Sequence, residues 1–373
     1  MSGLYVHVPF CKSKCPYCDF YSGPFLNKAD SYLEAVVGEL ALRRDELTEP
    51  VTTVYVGGGT PSLLTHGQLS RLIDGLRGGI DLSEVGEMTI EANPEDVTSE
   101  WTEAVKALGF NRVSIGVQSF DDDELRAVNR RHDAATAERA IGILRDGGIR
   151  EISADLIYGL PLQTLESWKS SLRRLLDLRV PHFSAYSLSF EPGTRLYAMR
   201  QNGKVEEADE TMVEWMYAAL VAMAGEAGYE HYEISNFCLP GHRSRHNSSY
   251  WNLTPYLGLG PAAHSFDGIT RSYNPANINE YVKCLSEGKL AVRIEEEEES
   301  DRFNDYVITA LRTADGVDLG LLADHFSGEL CRRFLSQADP LIADERLTAS
   351  GGRLAISRSE VLRSDSIMRE MMV

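Results

Sequence analysis

Three thiols, Cys11, Cys15 and Cys18, fall within eight residues of a chain that holds six cysteines in all. Their spacing, C-x3-C-x2-C, follows a short β-branched run (Tyr5, Val6, Val8) that ends in proline. Iron-sulfur clusters are held by cysteine thiolates, and a cubane normally takes four of them. Three close thiols leave one iron open to an outside ligand, and an open coordination position is a reactive one. A zinc site short of one ligand and three unligated loop thiols are the plainer alternatives. Cys238, Cys284 and Cys331 are scattered without metal-type spacing and read as small apolar residues.

Other polar groups recur at positions where ligands gather. Gly57-Gly58-Gly59-Thr60 closes the next β-rich run, and glycine there lets backbone approach a ligand closely, or simply makes a tight turn. The lysine of a phosphate-binding P-loop is missing, so a nucleoside triphosphate is not the expected ligand. Glu91 (in E-A-N-P-E), Gln118 (in S-I-G-V-Q-S-F) and Asp155 (in S-A-D-L-I-Y-G-L-P) stand at or near strand ends, and Arg130 lies in V-N-R-R-H. Singly each reads as a cap or a surface pair. Together they offer acids, an amide and a guanidinium to a ligand that carries an ammonium, a carboxylate and hydroxyls. A second cluster, G-H-R-S-R-H-N-S-S-Y-W over Gly241 to Trp251, brings two histidines and two arginines into an acidic chain. Imidazole ligates heme iron, arginine pairs with carboxylates, and Tyr and Trp offer flat faces to a macrocycle. A histidine in a polar loop is more commonly just a hydrogen-bonding residue.

The cysteine spacing, with an aromatic residue just before the last Cys, resembles the radical S-adenosylmethionine (SAM) enzymes. Y-V-H-V-P-F-C around the first thiol and H-N-x-x-Y-W at His246 to Trp251 narrow the resemblance. They point to the oxygen-independent coproporphyrinogen III oxidases and their relatives, the heme chaperones of the HemW type. The resemblance implies a 4Fe-4S cluster on Cys11, Cys15 and Cys18, with SAM chelating the open iron. It also implies SAM contacts at Tyr5, Gly58, Gly59, Thr60, Glu91, Gln118, Arg130 and Asp155, with Tyr17 packed against the cluster or the adenine. Heme is the further implied ligand, with His246 as preferred contact, Asn247, Tyr250 and Trp251 beside it, and Arg243 and Arg245 on the propionates. Implied partners are acceptor hemoproteins, a reductant such as flavodoxin or ferredoxin, and a peripheral membrane contact. The oxidases extend the motif to C-x3-C-x2-C-x-C and carry a longer segment ahead of it. Here Phe20 stands at the last position and ten residues precede Cys11. A heme chaperone is therefore the leading expectation. Oxidative decarboxylation of coproporphyrinogen III to protoporphyrinogen IX and a non-catalytic iron-sulfur interaction protein are the alternatives.

The elements that must position these residues alternate. Strand patterns at 51–56, 88–92, 112–117, 152–157 and 183–188 follow the first run. Helical spacing over 30–44, 100–108, 134–145 and 165–176 separates them. Strands separated by helices pair in parallel through right-handed crossovers. Periodicity alone leaves an open doubly wound sheet and a curved partial barrel equally possible; the resemblance implies an incomplete (β/α)6 barrel with a smaller α+β domain. On either architecture ligands gather at the carboxyl ends of the strands. The chain divides on this reading into a core at 1–190, an extension with the H-N-x-x-Y-W loop at 191–295, and a winged-helix-like unit at 296–373. Within the extension a long helix (206–225), a short strand (228–233) and an irregular loop (235–261) are expected. The acidic run Glu295 to Glu299 marks the last boundary, ahead of helices at 301–311, 319–326 and 329–334 and a hairpin about Gly351-Gly352.

A net charge of −19 opposes binding to nucleic acid, because such a surface repels polyanions at long range. Met1 to Leu4 lacks the basic and apolar parts of a leader, and no apolar run reaches the eighteen or so residues that span a bilayer. A cytoplasmic protein is expected.

Overall fold

The structure, a computed structural model, describes residues 2–373. Six parallel strands form its centre: β1 (Ser2–Val8), β2 (Val51–Gly58), β3 (Glu87–Ala92), β4 (Arg112–Gln118), β5 (Glu151–Tyr158) and β6 (His182–Ser187). Helices Ala29–Arg43, His66–Gly79, Ser99–Ala107, Ala134–Asp146 and Leu165–Asp177 make the crossovers. In β1 the period of two sends Leu4, Val6 and Val8 into the helical layer, where they are fully buried. Tyr5 and His7 turn to the concave side, where the Tyr5 ring meets Tyr55 and His246. This is the incomplete barrel that the resemblance implied, and its strand boundaries agree with the sequence pattern within a few residues.

Helix His66–Gly79 is not among the elements the sequence pattern singles out. It carries a full apolar stripe (Leu69, Leu72, Ile73, Leu76) and a Thr65–Gln68 capping box. Four glycines within it lower its helical propensity and mask the stripe.

The larger correction concerns 191–295. The helix there runs from Glu210 to Glu226, but 235–261 is not an irregular loop. It supplies β8 (Asn236–Cys238), the short helix Arg245–Ser249 and β9 (Tyr256–Leu259). Nearby are β7 (Glu230–Glu233), β10 (His264–Phe266), β11 (Arg271–Tyr273) and β12 (Arg293–Ile294). Among the described residues the sheet thus has twelve strands in the order β12-β11-β10-β9-β1-β2-β3-β4-β5-β6-β8-β7. β9 lies parallel to β1, while β10 to β12 on one flank and β7 and β8 on the other run antiparallel. The extension therefore widens both edges of the core sheet.

The C-terminal unit has a core of its own around Phe303, Tyr306, Phe334, Leu341 and Leu354. Helices Glu299–Leu311, Leu319–His325 and Gly328–Ala343 precede a hairpin of β14 (Leu347–Ser350) and β15 (Arg353–Ile356), against which β13 (Val317–Asp318) pairs. The third helix runs nine residues beyond the expected 329–334 and takes Pro340 into its last turn. Gly351 and Gly352 both have positive φ (58° and 76°), as a tight two-residue hairpin requires. Arg312 docks this unit, reaching Glu233 at 2.7 and 2.9 Å. Among the described residues no helix is long and apolar enough to cross a membrane.

Candidate functional site

The loop after β1 is pinned by backbone before any ligand is considered. Cys11 N donates to Gly23 O at 2.9 Å, Gly23 N to Pro9 O at 3.0 Å, and Gly59 N to Val8 O at 2.8 Å. The glycine turn at the end of β2 is what lets the loop come so near. A Cβ on Gly59 would stand 2.6 Å from Phe10 O, one on Gly58 2.6 Å from the His7 ring, and one on Gly57 2.8 Å from Glu91 Oε1. Close approach on three sides, rather than a turn alone, explains the three glycines.

Cys11, Cys15 and Cys18 then open onto one cavity of about 400 Å³ at the carboxyl ends of the strands. Gly58, Gly59, Thr60, Glu91, Gln118, Arg130, Asp155 and Tyr17 line it as well. Of the expected SAM contacts only Tyr5 stands off. Its hydroxyl meets His7 Nδ1 at 2.9 Å, and the residue does not line the cavity. Register is not the cause, since its strand partner Tyr55 does line the cavity; the Tyr5 ring is instead taken up by His7, Tyr55 and His246. Sequence patterns pass over Tyr55, Asn93 and Ser114, which hold the expected residues in place. Tyr55 Oη donates to Glu91 Oε1 at 2.8 Å, Ser114 Oγ donates to Asp155 Oδ2 at 3.2 Å, and Arg130 donates to Asn93 Oδ1 at 2.9 Å. Tyr55 was findable from the period of two in β2, and Asn93 from its place in the same motif as Glu91.

The electrostatics suit a ligand that brings positive charge. Burial raises the Glu91 carboxyl to about 7, with the charge of Asp155 adding to it, while the bonds from Tyr55 and Gly58 N oppose the rise. Burial likewise raises Asp155 to about 6. Arg130 Nη1 lies 3.6 Å from Cys15 Sγ, and its Nη2 also donates to Gly116 O at 2.7 Å. Among the described residues, Arg130 Nε, Thr89 Oγ1 and Arg112 Nη2 are buried without a partner on residues that line the cavity. Such orphans normally find an ion, water or ligand. Burial pushes the Cys18 thiol up to about 11, so a nearby cation is needed to hold it as thiolate. The thiols do not crowd one point: among the described residues no three His, Cys, Asp or Glu side chains could share a single metal ion. A zinc site needs all its ligands about 2.0 to 2.3 Å from one centre, whereas a cubane offers three separate irons to three thiolates. The donor set fits the cluster.

The second expected cluster is differently placed. His246 is fully buried; its Nδ1 meets Thr53 Oγ1 and its Nε2 meets Tyr250 Oη, each at 2.9 Å, while its ring stacks on Tyr55 at 5.1 Å. Burial lowers its pKa to about 3. Both nitrogens are thus engaged, so His246, the expected preferred heme contact, would have to give up Thr53 or Tyr250 to take iron. Asn247 lines the floor of the large cavity. Trp251 and Arg243 line a separate pocket of about 150 Å³ against the C-terminal unit, with Arg243 bonded to Asp315 at 2.9 Å. Arg245 is exposed and packs on Gly86. Phe20, 62% exposed, sits at the mouth of the large cavity.

A family profile described as the radical SAM superfamily matches residues 5–175. The chain is 34% identical over 376 residues to the heme chaperone HemW of Mycobacterium tuberculosis (strain ATCC 25618 / H37Rv), covering 99% of this chain and 94% of that one. It is 33% identical to the heme chaperone HemW of Bacillus subtilis (strain 168), with 88% of each covered. Among solved structures it is similar to the coproporphyrinogen III oxidase (HemN) of Escherichia coli, described as a radical SAM enzyme. The TM-score is 0.84 at 25% identity, over 100% of this chain and 90% of that one.

Proposed function

We infer, since this chain belongs to the HemW family of the radical SAM superfamily, that it is a heme chaperone: it binds heme and delivers it to acceptor hemoproteins. Cys11, Cys15 and Cys18 hold a 4Fe-4S cluster in this reading, and SAM occupies the adjoining cavity. When bound, the pair supplies a redox-active iron centre beside a cationic sulfonium ligand. The chain's own residues do the rest. Glu91 and Asp155 draw the ligand's positive charge, Arg130 stabilises the Cys15 thiolate and keeps Asn93 turned inward, and the glycine turn fixes the loop at contact distance. A small reductant protein of the flavodoxin or ferredoxin kind would reach the cluster from the mouth of the cavity.

The observation that carries the cofactor half of this reading is the convergence of the cysteine loop, the glycine turn and the strand-end acids on one cavity. The heme half rests on kinship with proteins named as heme chaperones. Phe20 at the mouth, where the oxidases place a further Cys, weighs against porphyrinogen decarboxylation. The test is anaerobically reconstituted protein assayed in parallel for heme uptake and for coproporphyrinogen III turnover with SAM and reductant. Stoichiometric heme uptake without turnover is expected. SAM-dependent accumulation of protoporphyrinogen would replace the chaperone with the oxidase.

A further inference from the structure

If His246 offers no free nitrogen, heme iron needs another ligand. Each of the nine histidines can be judged by its ring nitrogens. His7 and His182 have both engaged, by Tyr5 Oη and Tyr21 O, and by Ser153 Oγ and Tyr232 Oη. His132 is buried between Val117 O and Glu95. His231 stacks on Phe237 at 4.4 Å and shares Nε2 with Tyr217 Oη and Ile234 O. His66 has no ring neighbour, and His325 turns Nδ1 back to Leu321 O in the last turn of its helix. His242 has a carboxylate on Nδ1, Glu151 at 2.9 Å, but no aromatic face beside it.

His264 on β10 differs from all of these. Its side chain is 57% exposed, Nδ1 lies 3.5 Å from Glu295 Oε1, and among the described residues Nε2 has no partner. The ring stacks on Tyr273 at 5.5 Å and 26°. A carboxylate near one imidazole nitrogen is placed to accept its proton and orient the ring, as the outer partners of metal-ligating histidines do.

The surroundings fit a porphyrin. Residues directly opposite across antiparallel strands share a face, so His264, Tyr273 and Arg293 point one way, as do Phe266, Arg271 and Tyr256. The alternate residues Ser265 and Ser272 turn to Arg43 behind the sheet. Four strands, β9 to β12, spaced about 4.8 Å apart, give this apron a width of roughly 14 Å. Arg271 caps the Phe266 ring at 5.6 Å. Both arginines rest on surface acids, Arg271 on Asp305 and Arg293 on Glu280, and such pairs are weak enough to be exchanged for propionates. The H-N-x-x-Y-W segment then acquires a different part. Tyr250, bonded to His246, meets Tyr256 edge-on at 4.8 Å, and Tyr256 leads on to Phe266. The signature adjoins the apron at its β9 edge.

We propose that His264 Nε2 is the protein ligand to heme iron, with Tyr273 stacked on the imidazole, Phe266 along the macrocycle, and Arg271 and Arg293 at the propionates. The assignment rests on the chaperone reading. Hemin is titrated into the full-length protein and into His264→Ala, His264→Gly and His242→Ala, following the Soret band, with thermal melts of the unliganded proteins alongside. His264→Ala should bind hemin at least tenfold more weakly with a shifted Soret band and an unchanged melt. Free imidazole should restore the wild-type band in His264→Gly, and His242→Ala should titrate as wild type. A His264→Ala titration identical to wild type overturns the ligand while leaving the chaperone standing. A wild-type protein that takes up no hemin overturns both.

Discussion

Replacing Glu91 with glutamine probes the cavity through its charge. Its carboxyl moves from an ordinary 4.5 to about 7, chiefly by burial and further by the charge of Asp155. Converted at 1.36 kcal/mol per unit, the shift is about 3 kcal/mol, an upper figure because the carboxyl lines an open cavity and is screened there. A carboxyl raised in this way binds its proton more tightly in the folded protein than in the unfolded chain. Its contribution to stability is therefore complete below about pH 4.5 and is lost as pH rises through about 7. A cationic ligand reverses the preference, since it favours the ionised form. From pH 6 to pH 8 the ionised fraction of a group with a pKa of about 7 climbs from about a tenth to about nine tenths, so SAM affinity should rise about tenfold and then level off. Asp155, raised to about 6, steepens the profile further below pH 6. In Glu91→Gln the rise between pH 6 and 8 should vanish. Affinity at pH 8 should fall about tenfold to a hundredfold, the value of about 1 to 3 kcal/mol for a charge-assisted hydrogen bond. Calorimetric titration of SAM into anaerobically reconstituted protein, in two buffers of different ionisation enthalpy, counts the protons released. Affinity independent of pH with no proton release in the wild type, or an unaltered profile in Glu91→Gln, would refute the electrostatic argument.

Three further outcomes follow from the same geometry. Cys11→Ala, Cys15→Ala and Cys18→Ala should each abolish the visible absorption of a reconstituted cluster, while Cys238→Ala, Cys284→Ala and Cys331→Ala keep it; loss of the cluster in Cys284→Ala would undo the three-thiol assignment. Gly59→Ala drives a Cβ to 2.6 Å from Phe10 O and 2.9 Å from Val8 O, so iron incorporation should drop severely while far-ultraviolet circular dichroism stays native. His246→Ala removes a buried stacked ring and strands Thr53 Oγ1 and Tyr250 Oη, and should cost about 3 to 5 kcal/mol in denaturant melts. A loss below about 1 kcal/mol would show that the ring is not a buttress.

The residues legible in the sequence were those whose position follows from local pattern. Glu91 and Asp155 could be placed because each belongs to a strand of six to eight residues, and the parallel crossover rule sends the ends of all such strands to one rim. The burial of His246 was hidden for the opposite reason. Its neighbours Arg245 and Asn247 are polar, the helix that carries it has five residues, and its burial comes from Thr53 and Tyr55, some two hundred positions earlier. Strands β8 to β12 have only two to four residues each, too short for a period of two to register. His264 was invisible on the same account, since nothing local says that Tyr273 and Glu295 stand beside it.

The place of β1 in the sheet has a consequence for the order of events during synthesis. It is an interior strand, paired with β2 on one side and with β9 on the other, where Val6 lies opposite Leu259. About 250 residues separate those partners, so at roughly 5 to 20 residues per second β1 keeps one bare edge for about 12 to 50 s after it leaves the ribosome. An unpaired edge that carries the cysteine loop is open to pairing with other chains and to oxidation of its thiols. Cluster insertion therefore has to wait for β9, or the nascent strand needs a guard over that interval, and truncations that end before Leu259 should aggregate rather than assemble iron.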